Sequence, residues 1–253
     1  MNKPADSSGF LVVASTKQAF YNAAINLIGS IKDFYPEANC CLVTEDRFLD
    51  GREKIADHLI SCDNNTRAKL IGMAKSPYSR TFYIDADTEC VHEDIQTIFD
   101  QLDTSKYDVM FTSLTKDREY CYYGRKFGKV EFVLGGAVCL YNSSDPFVIE
   151  FMQEWYNLFN KHFYQKYWLD KNEQWTQDKS AWDNENYPHK NLSQWDQFSL
   201  WWLVNKHEKF SKIRVGILDD DARWNYYSKY RDSLKHNKKP VVIRHYSSGL
   251  NKV

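Results

Sequence analysis

Arg80–Cys90, RTFYIDADTEC, is the stretch that decides the fold. Four residues with strong strand preference, Thr81–Ile84, run directly into Asp85-Ala86-Asp87, and a helix is predicted from about Asp94. An apolar run of this kind is typical of a central strand buried on both faces, so both carboxylates should emerge at its carboxyl end. Ligands bind at that edge of open α/β sheets. The sequence therefore predicts a ligand site at this pair of aspartates.

Two aspartates separated by one residue on a turn can share a hard divalent cation such as Mg²⁺ or Mn²⁺. Such an ion needs only one or two carboxylates when substrate phosphates fill its other positions, so the matching substrate is a nucleotide diphosphate. Aspartates also form turns and cap helices, which makes the tripeptide alone weak support. A second acidic run, Asp219-Asp220-Asp221, follows the mostly apolar Ile213–Leu218 and is a competing candidate.

Composition and charge limit the classes of protein to which this chain can belong. Its 253 residues, 43% of them apolar, suffice for one large α/β domain or for a domain with a subdomain. The 33 basic and 34 acidic residues nearly balance, which disfavours a nucleic-acid or membrane-surface binder. Six cysteines without zinc-site spacing, no apolar leader and no 18-residue apolar run predict a cytoplasmic protein without a membrane span.

The first part of the chain predicts a β-α-β unit. Phe10–Ala14 is a short buried strand, and Cys40–Val43 is the next strand. Between them, apolar residues at helical spacing predict a helix that Ser15 or Thr16 caps and that ends at Pro36. A mostly parallel sheet with right-handed crossovers is the expected architecture. No glycine-rich dinucleotide or Walker loop follows the first strand, which disfavours both of those nucleotide-binding classes.

The second half of the chain is predicted to be less regular. Residues 113–130 are charged and rich in tyrosine, and we expect them to form a mobile loop beside the site. The strand expected at 132–141 contains Gly135-Gly136, a pair that indicates a bulge or a close approach of backbone to ligand. Asp145-Pro146 begins a helix, and the last strand is expected near Val241–Tyr246.

Tryptophans recur at intervals of seven in the polar segment before position 195. On a helix, Trp168, Trp175 and Trp182 would form one aromatic stripe. Such a stripe is either an ordinary packing face or a surface that stacks against sugar rings, and the sequence leaves both interpretations open. A strongly aromatic helix is then expected from Trp195-Asp196-Gln197 through Val204.

Several of these segments match one pattern in order. Lys69–Thr88, KLIGMAKSPYSRTFYIDADT, combines a lysine, a Y-S-R motif and D-A-D-T at a characteristic spacing. The further elements are Thr16, Tyr21 and Gly29-Ser30 upstream, and Asp196-Gln197, Trp224-Asn225 and His245-Tyr246 with Gly249 and Lys252 downstream. Together they resemble the retaining glycosyltransferases of the GT-A fold, especially the glycogenin-like family 8 enzymes. The resemblance assigns the metal site to the first aspartate pair, because the second acidic run falls where the family has a loop.

The chain departs from the family pattern at three places. Its opening is one residue longer, and Leu134-Gly135-Gly136 replaces the family's N-S/A-G, whose asparagine contacts the donor sugar. The closing motif carries one extra residue between His245 and Gly249. The match is also poor across 113–131 and 160–193, so the transferred sugar and the acceptor stay open.

The resemblance implies a fold, a reaction and a set of site residues. The fold is α/β, a mostly parallel twisted sheet flanked by helices, in one domain over 1–253 with a nucleotide-binding half at about 10–112 and an acceptor and donor-sugar half at 131–253. The reaction is metal-dependent transfer of a sugar from a UDP-sugar to a hydroxyl acceptor such as a glycan, with retention of configuration. The implied metal ligands for Mn²⁺ or Mg²⁺ are Asp85, Asp87 and His245; the implied donor contacts are Ala14, Ser15, Thr16, Tyr21, Lys69, Asp85 and Lys252; the implied catalytic residues are Asp196 and Gln197.

Two other functions remain open at this stage. A non-catalytic carbohydrate- or nucleotide-binding protein of the same fold would carry the same pattern. A sugar nucleotidyltransferase also uses a parallel sheet and metal-binding aspartates, but it needs a glycine-rich basic loop after the first strand, and ASTKQAFYN is not one. A glycoside hydrolase is disfavoured because no second carboxylate is placed as an acid beside the aspartate pair.

Overall fold

A computed structural model describes residues 7–113, 134–170, 172, 174–178, 180, 196–227 and 239–246. Three predictions therefore lie outside the described residues: the loop beyond position 113, Trp182, and the closing Gly249 and Lys252. None of the helices in the described ranges has the length and apolar character needed to cross a membrane.

The described chain alternates strands with helices. The helices are α1 (Gln18–Phe34), α2 (Ala68–Ala74), α3 (Ile98–Thr104), α4 (Pro146–Phe163) and α5 (Gln197–Asn205). The strands are β1 (Ser8–Ala14), β2 (Cys40–Thr44), β3 (His58–Ser61), β4 (Arg80–Asp85), β5 (Thr88–Cys90), β6 (Val109–Ser113), β7 (Leu134–Asn142), β8 (Trp168–Leu169), β9 (Trp175–Thr176), β10 (Val215–Ile217), β11 (Tyr226–Tyr227) and β12 (Ile243–His245).

A seven-stranded sheet in the order β10-β6-β7-β4-β1-β2-β3 forms the centre of the molecule. β7 runs antiparallel to its neighbours β4 and β6, and the other pairs are parallel, so the predicted mostly parallel α/β sheet is confirmed. β4 lies in the middle, as its continuous apolar sequence predicts. Its partner β1 pairs Val13 with Asp85, so the carboxyl ends of both strands reach the same edge.

The core lies on both faces of this sheet, because successive strand residues point to opposite sides. Phe10, Val12 and Phe82 pack against α1 and α3, whereas Leu11 and Tyr83 pack against α2, α4 and α5. Each fully buried side chain of this size stabilises the fold by roughly 1.5–3 kcal/mol. The two layers hold the central strands, and therefore the edge that follows Asp85, in a fixed position.

A second, small sheet in the order β11-β12-β5 stands beside that edge. β5, which the sequence does not predict because it is only three residues long, turns back after the aspartate pair. It pairs antiparallel with β12, so that Thr88 lies opposite His245. The last described strand therefore belongs to this sheet and not to the central one, and it carries its histidine toward the aspartates.

Three local predictions are wrong in detail. The residue at the N-cap of α1 is Lys17, and its side chain makes no capping hydrogen bond; the Ser15 hydroxyl donates instead to Glu45 Oε1. Asp94 lies in a 3-10 turn, and α3 begins only at Ile98. Trp168 and Trp175 lie in the short antiparallel hairpin β8–β9 and not on one helix, so no helical stripe joins them.

Two other local predictions are confirmed. The Asp145 side chain accepts a hydrogen bond from the Phe147 N–H at 2.8 Å and caps α4, with Pro146 at the first turn. The glycine pair lies at an irregularity between β6 and β7, where the register shifts from Phe111↔Cys139 to Thr112↔Gly135. This bulge bends the strand beside the site.

Candidate active site

A pocket of about 440 Å³ opens at the carboxyl edge of β1 and β4. Its position is the one that parallel α/β sheets favour for ligands. The lining residues come from β1 and α1, the start of α2, β4 and the turn after it, β7, α5 and β12: Val13, Ser15, Thr16, Phe20, Asn65, Thr66, Arg67, Ala68, Lys69, Tyr83, Asp85, Ala86, Asp87, Gly135, Gly136, Ala137, Asp196, Gln197 and His245.

Asp85, Asp87 and His245 converge on one side of this pocket. One ligand atom from each residue lies within 4.8 Å of the others, and ligands on opposite sides of a hard divalent ion are about 4 to 5 Å apart. His245 Nε2 lies 3.3 Å from Asp87 Oδ1. Within the described ranges this is the cluster of His, Cys, Asp and Glu side chains that could hold a metal ion.

Asn225 fixes the orientation of the His245 ring. Its Nδ2 donates to Thr112 Oγ1 at 3.1 Å, which leaves Oδ1 to face His245 Nδ1 at 2.8 Å. The network therefore assigns the proton to Nδ1, and a neutral ring turns the lone pair of Nε2 toward the Asp87 carboxylate. Two acceptors that face each other are stabilised by a shared cation, so the residues present fit a divalent metal ion.

Burial acts on both aspartates of the pair, with different results. For Asp85, burial raises the pKa, the neighbouring Asp87 adds to this, and Lys69 opposes it without reversing it. For Asp87, burial also raises the pKa. When the His245 ring is protonated, its hydrogen bond and charge, together with a backbone hydrogen bond and Lys69, outweigh burial, so the net pKa is lowered. The Tyr83 hydroxyl donates to Asp85 Oδ1 and holds that carboxyl toward the pocket.

Lys69 joins the carboxylate cluster to Asp196 on another wall of the pocket. Its Nζ lies 3.5 Å from Asp85 Oδ1 and 2.8 Å from Asp196 Oδ2, and it donates to the Gly136 carbonyl at 3.0 Å. Burial raises the pKa of Asp196, but Lys69 and Arg67 outweigh it and hold the net pKa below its ordinary value. Asp196 is only 2% exposed, so this ion pair is a buried one.

The ends of α2, β7 and α5 meet at this ion pair. The Asp196 side chain makes no capping hydrogen bond to α5, and its carbonyl accepts from Trp155 Nε1 at 2.9 Å. A Cβ atom at Gly136 would lie 3.1 Å from Asp196 Oδ2 and 3.5 Å from the Trp155 ring. The glycine therefore leaves the space that the buried carboxylate occupies.

Gln197 follows Asp196 at the first position of α5 and lines the same wall. Its Oε1 is buried and accepts no hydrogen bond from the part of the chain that the structure describes. A buried carbonyl oxygen without a donor costs about 1–3 kcal/mol, which a bound ligand with a hydroxyl group would recover. The side chain is therefore placed to contact a polar ligand.

The structure brings together most of the predicted site residues but not all of them. Ser15, Thr16, Lys69, Asp85, Asp87, Asp196, Gln197 and His245 line the pocket. Ala14 is buried in the core and does not line it, and the Tyr21 hydroxyl donates instead to Asp50 Oδ1 and Glu53 Oε2, each at 3.0 Å. Burial and these two carboxylates raise the pKa of Tyr21 to about 12. Lys252 lies outside the described residues.

Other pocket residues were not predicted from the sequence. Phe20 lines the pocket together with Thr16, one residue before Tyr21 in the chain. The one-residue extension of the opening is the sequence signal that favours Phe20 over Tyr21 at the pocket. Asn65 and Arg67 also line the pocket, and they follow β3 at the sheet edge, where polar residues after a strand are the only sequence signal.

The competing acidic run, Asp219-Asp220-Asp221, forms a turn. Asp220 has a positive φ of 51° and pairs with Lys239 at 2.7 Å, and the Asp219 N–H donates to Gln101 Oε1. The Asp219 carbonyl accepts from Trp224 Nε1. These contacts give Asp219 and Asp220 structural roles at this turn.

No protein-family model and no curated protein matches this chain by sequence. Solved structures match its fold. The galactosyltransferase LgtC, in complex with donor and acceptor sugar analogues, gives a TM-score of 0.58 at 13% identity and covers 94% of this chain and 87% of its own. The glycosyltransferase GlyE of Streptococcus pneumoniae gives 0.56 at 15% identity, with 95% of this chain and 55% of its own covered. This chain thus spans little more than half of GlyE.

Mouse xyloside xylosyltransferase 1 is a third neighbour, with a TM-score of 0.53 at 11% identity over 96% of this chain and 99% of its own. All three neighbours are glycosyltransferases, and all align over nearly the whole of this chain. The mostly parallel seven-stranded sheet flanked by helices agrees with that alignment. The chain therefore has the GT-A fold of the glycosyltransferases.

Proposed function

We propose that the protein is a metal-dependent retaining glycosyltransferase that moves a sugar from a UDP-sugar to a hydroxyl acceptor, in particular a glycan. The observation that carries this proposal is the convergence of Asp85, Asp87 and His245 from two different sheets in the pocket. The neighbouring LgtC was solved with donor and acceptor sugar analogues, which supports the same classes of ligand here. The pocket draws on both 10–112 and 131–253, which supports one domain with two functional halves.

Asp85, Asp87 and His245 would hold the ion. Manganese is favoured over magnesium, because an imidazole ligand suits Mn²⁺ better than Mg²⁺. A divalent ion held there would supply Lewis-acid stabilisation of the negative charge on the departing diphosphate. Lys69 adds a second positive charge between Asp85 and Asp196, where the donor phosphate and sugar would meet.

Asp196 and Gln197 would contact the donor sugar on the wall opposite the metal ligands. An amide is a weak nucleophile, which disfavours a covalent intermediate on Gln197. The acceptor hydroxyl then attacks the anomeric carbon on the face that the diphosphate leaves, and its proton passes to a diphosphate oxygen. One C–O bond breaks and one forms on the same face, so the configuration is retained.

The test of this proposal is thermal unfolding of the whole chain with UDP, UDP-sugars and Mn²⁺. UDP with Mn²⁺ should raise the midpoint of unfolding, because a ligand at about 100 times its Kd stabilises the folded state by about 2.7 kcal/mol. UDP with EDTA should not. Hydrolysis of the UDP-sugar in Mn²⁺ separates an enzyme from a binding protein of the same fold. Full activity in excess EDTA would overturn the metal-dependent mechanism.

Replacement of Asn225 should weaken metal binding before any sugar is present. Asn225→Leu removes the acceptor for His245 Nδ1, and loss of such a partner typically costs about 10- to 100-fold in metal affinity. Asn225→Asp keeps an acceptor at this position, so its affinity should stay within about threefold of the wild type. Titration of Mn²⁺ followed by electron paramagnetic resonance measures both variants. Equal affinities of the leucine and aspartate variants would contradict this role.

A further inference from the structure

Thr16 has a backbone conformation that its side chain disfavours. Its φ is +75°, in the left-handed region, although threonine is branched at Cβ. Residues of this type adopt that region only where the surrounding structure holds them, and they concentrate at functional sites. Thr16 lines the pocket at the point where the chain leaves β1 and enters α1.

A buried carboxylate holds this conformation. Glu45 Oε1 accepts from the Thr16 N–H at 2.5 Å and from the Ser15 hydroxyl at 2.8 Å. Glu45 Oε2 pairs with Arg47 Nε at 2.8 Å, and Arg47 Nη2 also donates to the Thr16 carbonyl at 3.4 Å. Glu45 and Arg47 thus hold the backbone N–H and the backbone carbonyl of Thr16 by hydrogen bonds. We name Glu45, Arg47 and their contacts to Ser15 and Thr16 the Glu45 clamp.

The Glu45 carboxylate of this clamp is buried and stays charged. Glu45 is only 5% exposed. Burial raises the pKa of its carboxyl, but the hydrogen bonds from Thr16, Ser15 and Arg47 outweigh burial and hold the net pKa below its ordinary value. Ser15 Oγ in turn accepts from the Asn65 N–H at 3.1 Å, which ties the opening of the pocket to the loop before α2.

Glu45 itself does not line the pocket, whereas Ser15, Thr16, Phe20 and Asn65 do. In the proposed function, the diphosphate lies at the aspartate pair and the sugar lies at Asp196, so this end of the pocket is left for the nucleoside. We propose that Glu45 is a positioning residue that holds Thr16 in its left-handed conformation and so preshapes the pocket for the nucleoside of the donor. This inference rests on the proposed function.

Loss of the Glu45 clamp should lower nucleotide affinity, because fewer molecules would hold Thr16 in the conformation that shapes the pocket. If Thr16 relaxes to a negative φ, only a fraction of molecules keeps the pocket shape, and the apparent Kd rises by the inverse of that fraction. The strain energy of one β-branched residue in the left-handed region corresponds to about a tenfold change in the apparent Kd for the nucleotide. Glycine at position 16 carries no such penalty, because it populates positive φ freely.

The experiment is a double-mutant cycle on the full chain, with UDP and Mn²⁺ as the probe in calorimetric titration. Glu45→Ala should raise the Kd for UDP about tenfold in the Thr16 background, and by less than about threefold in the Thr16→Gly background. Glu37→Ala, an exposed glutamate outside the pocket, is the matched control and should leave the Kd unchanged. If Glu45 only stabilised the fold, Glu45→Ala would lower the unfolding midpoint, but its effect on the Kd would not depend on the residue at position 16.

Equal changes in Kd in both backgrounds, or no change in either, would overturn the clamp while leaving the proposed function intact. Wild-type protein that fails to bind UDP with Mn²⁺ would overturn the proposed function instead. In that case, thermal unfolding without ligand tests the Glu45 clamp by itself. The four proteins compared are the wild type, Glu45→Ala, Thr16→Gly and the double variant. Glu45→Ala should lower the midpoint less when residue 16 is glycine, and an equal loss would refute it.

Discussion

Asp87→Ala should lower kcat/KM for sugar transfer by about a thousandfold, because a metal-bound leaving group is stabilised by several kcal/mol. Asp87 contributes one of the two carboxylates of the cluster and contacts His245 Nε2 at 3.3 Å. Its removal leaves one acid and one imidazole for the ion. Binding of UDP should therefore lose its dependence on Mn²⁺, which calorimetric titration with and without EDTA measures directly.

Asp219→Ala is the matched control for this prediction. Asp219 also follows a strand at the sheet edge and belongs to an acidic run, but it lies in the turn after β10, outside the pocket. Its described hydrogen bonds use the backbone N–H and carbonyl. The variant should keep wild-type transfer and Mn²⁺-dependent binding. Asp87→Ala with wild-type activity, or a comparable loss in both variants, would show that the aspartate pair after β4 is not the metal site.

The second large effect is expected at Lys69. Lys69→Met removes the nearest cation from the buried Asp196 carboxylate and leaves, among the described residues, the more distant Arg67 Nε at 3.8 Å. Breaking a buried pair from one side costs about 3–5 kcal/mol, because the remaining charge has no compensation. We therefore expect a loss of about 3 kcal/mol in the free energy of unfolding, together with loss of transfer.

Lys69→Met combined with Asp196→Asn separates stability from catalysis. The double variant also removes the Asp196 charge that Lys69→Met leaves without its nearest cation, so most of the lost stability should return, measured by denaturant unfolding. Transfer should not return, because both side chains line the proposed donor site. Recovery of activity along with stability would reduce this ion pair to a structural role.

The same pair predicts how stability depends on pH. The pKa of Asp196 is lower in the folded state than in the unfolded state, so its contribution is present above about pH 4 and is lost as the pH falls through the folded value. For Lys69, burial lowers the pKa but Asp196 and Asp85 outweigh it, so its net pKa is raised. Its contribution is present below about pH 10 and is lost at higher pH. The double variant should therefore lose less stability in acid than the wild type.

Local sequence patterns predicted the central elements of the fold. The apolar run before Asp85 predicted a buried central strand, and the Asp145-Pro146 pair predicted the start of α4. These predictions succeed because strand and helix periodicity, and helix capping, depend on residues that are close in the chain. The three-residue β5 was not predicted and the cap of α1 was predicted wrongly, because such short features have no periodicity to detect.

The candidate site likewise contains some residues that local sequence patterns predicted and others that they did not. The aspartate pair could be found from its place after an apolar run, and Asp196 and His245 were implied only by the resemblance to a family. Nothing local in the sequence indicates that Asn225 orients His245 or that Glu45 accepts a hydrogen bond from the Thr16 N–H. These partners are 20 and 29 positions apart, and single polar residues at such separations leave no pattern.

By itself, the sequence determined that a strand buried on both faces ends in two carboxylates at the ligand-binding edge of an α/β sheet. The tertiary structure decided which groups meet those carboxylates, since it pairs β12 with β5 to bring in His245 and packs α2 against α4 and β1, where Lys69 reaches Asp196. The physical reason is that a strand follows from neighbouring residues, whereas a buried polar group finds its partner only when distant segments have packed together.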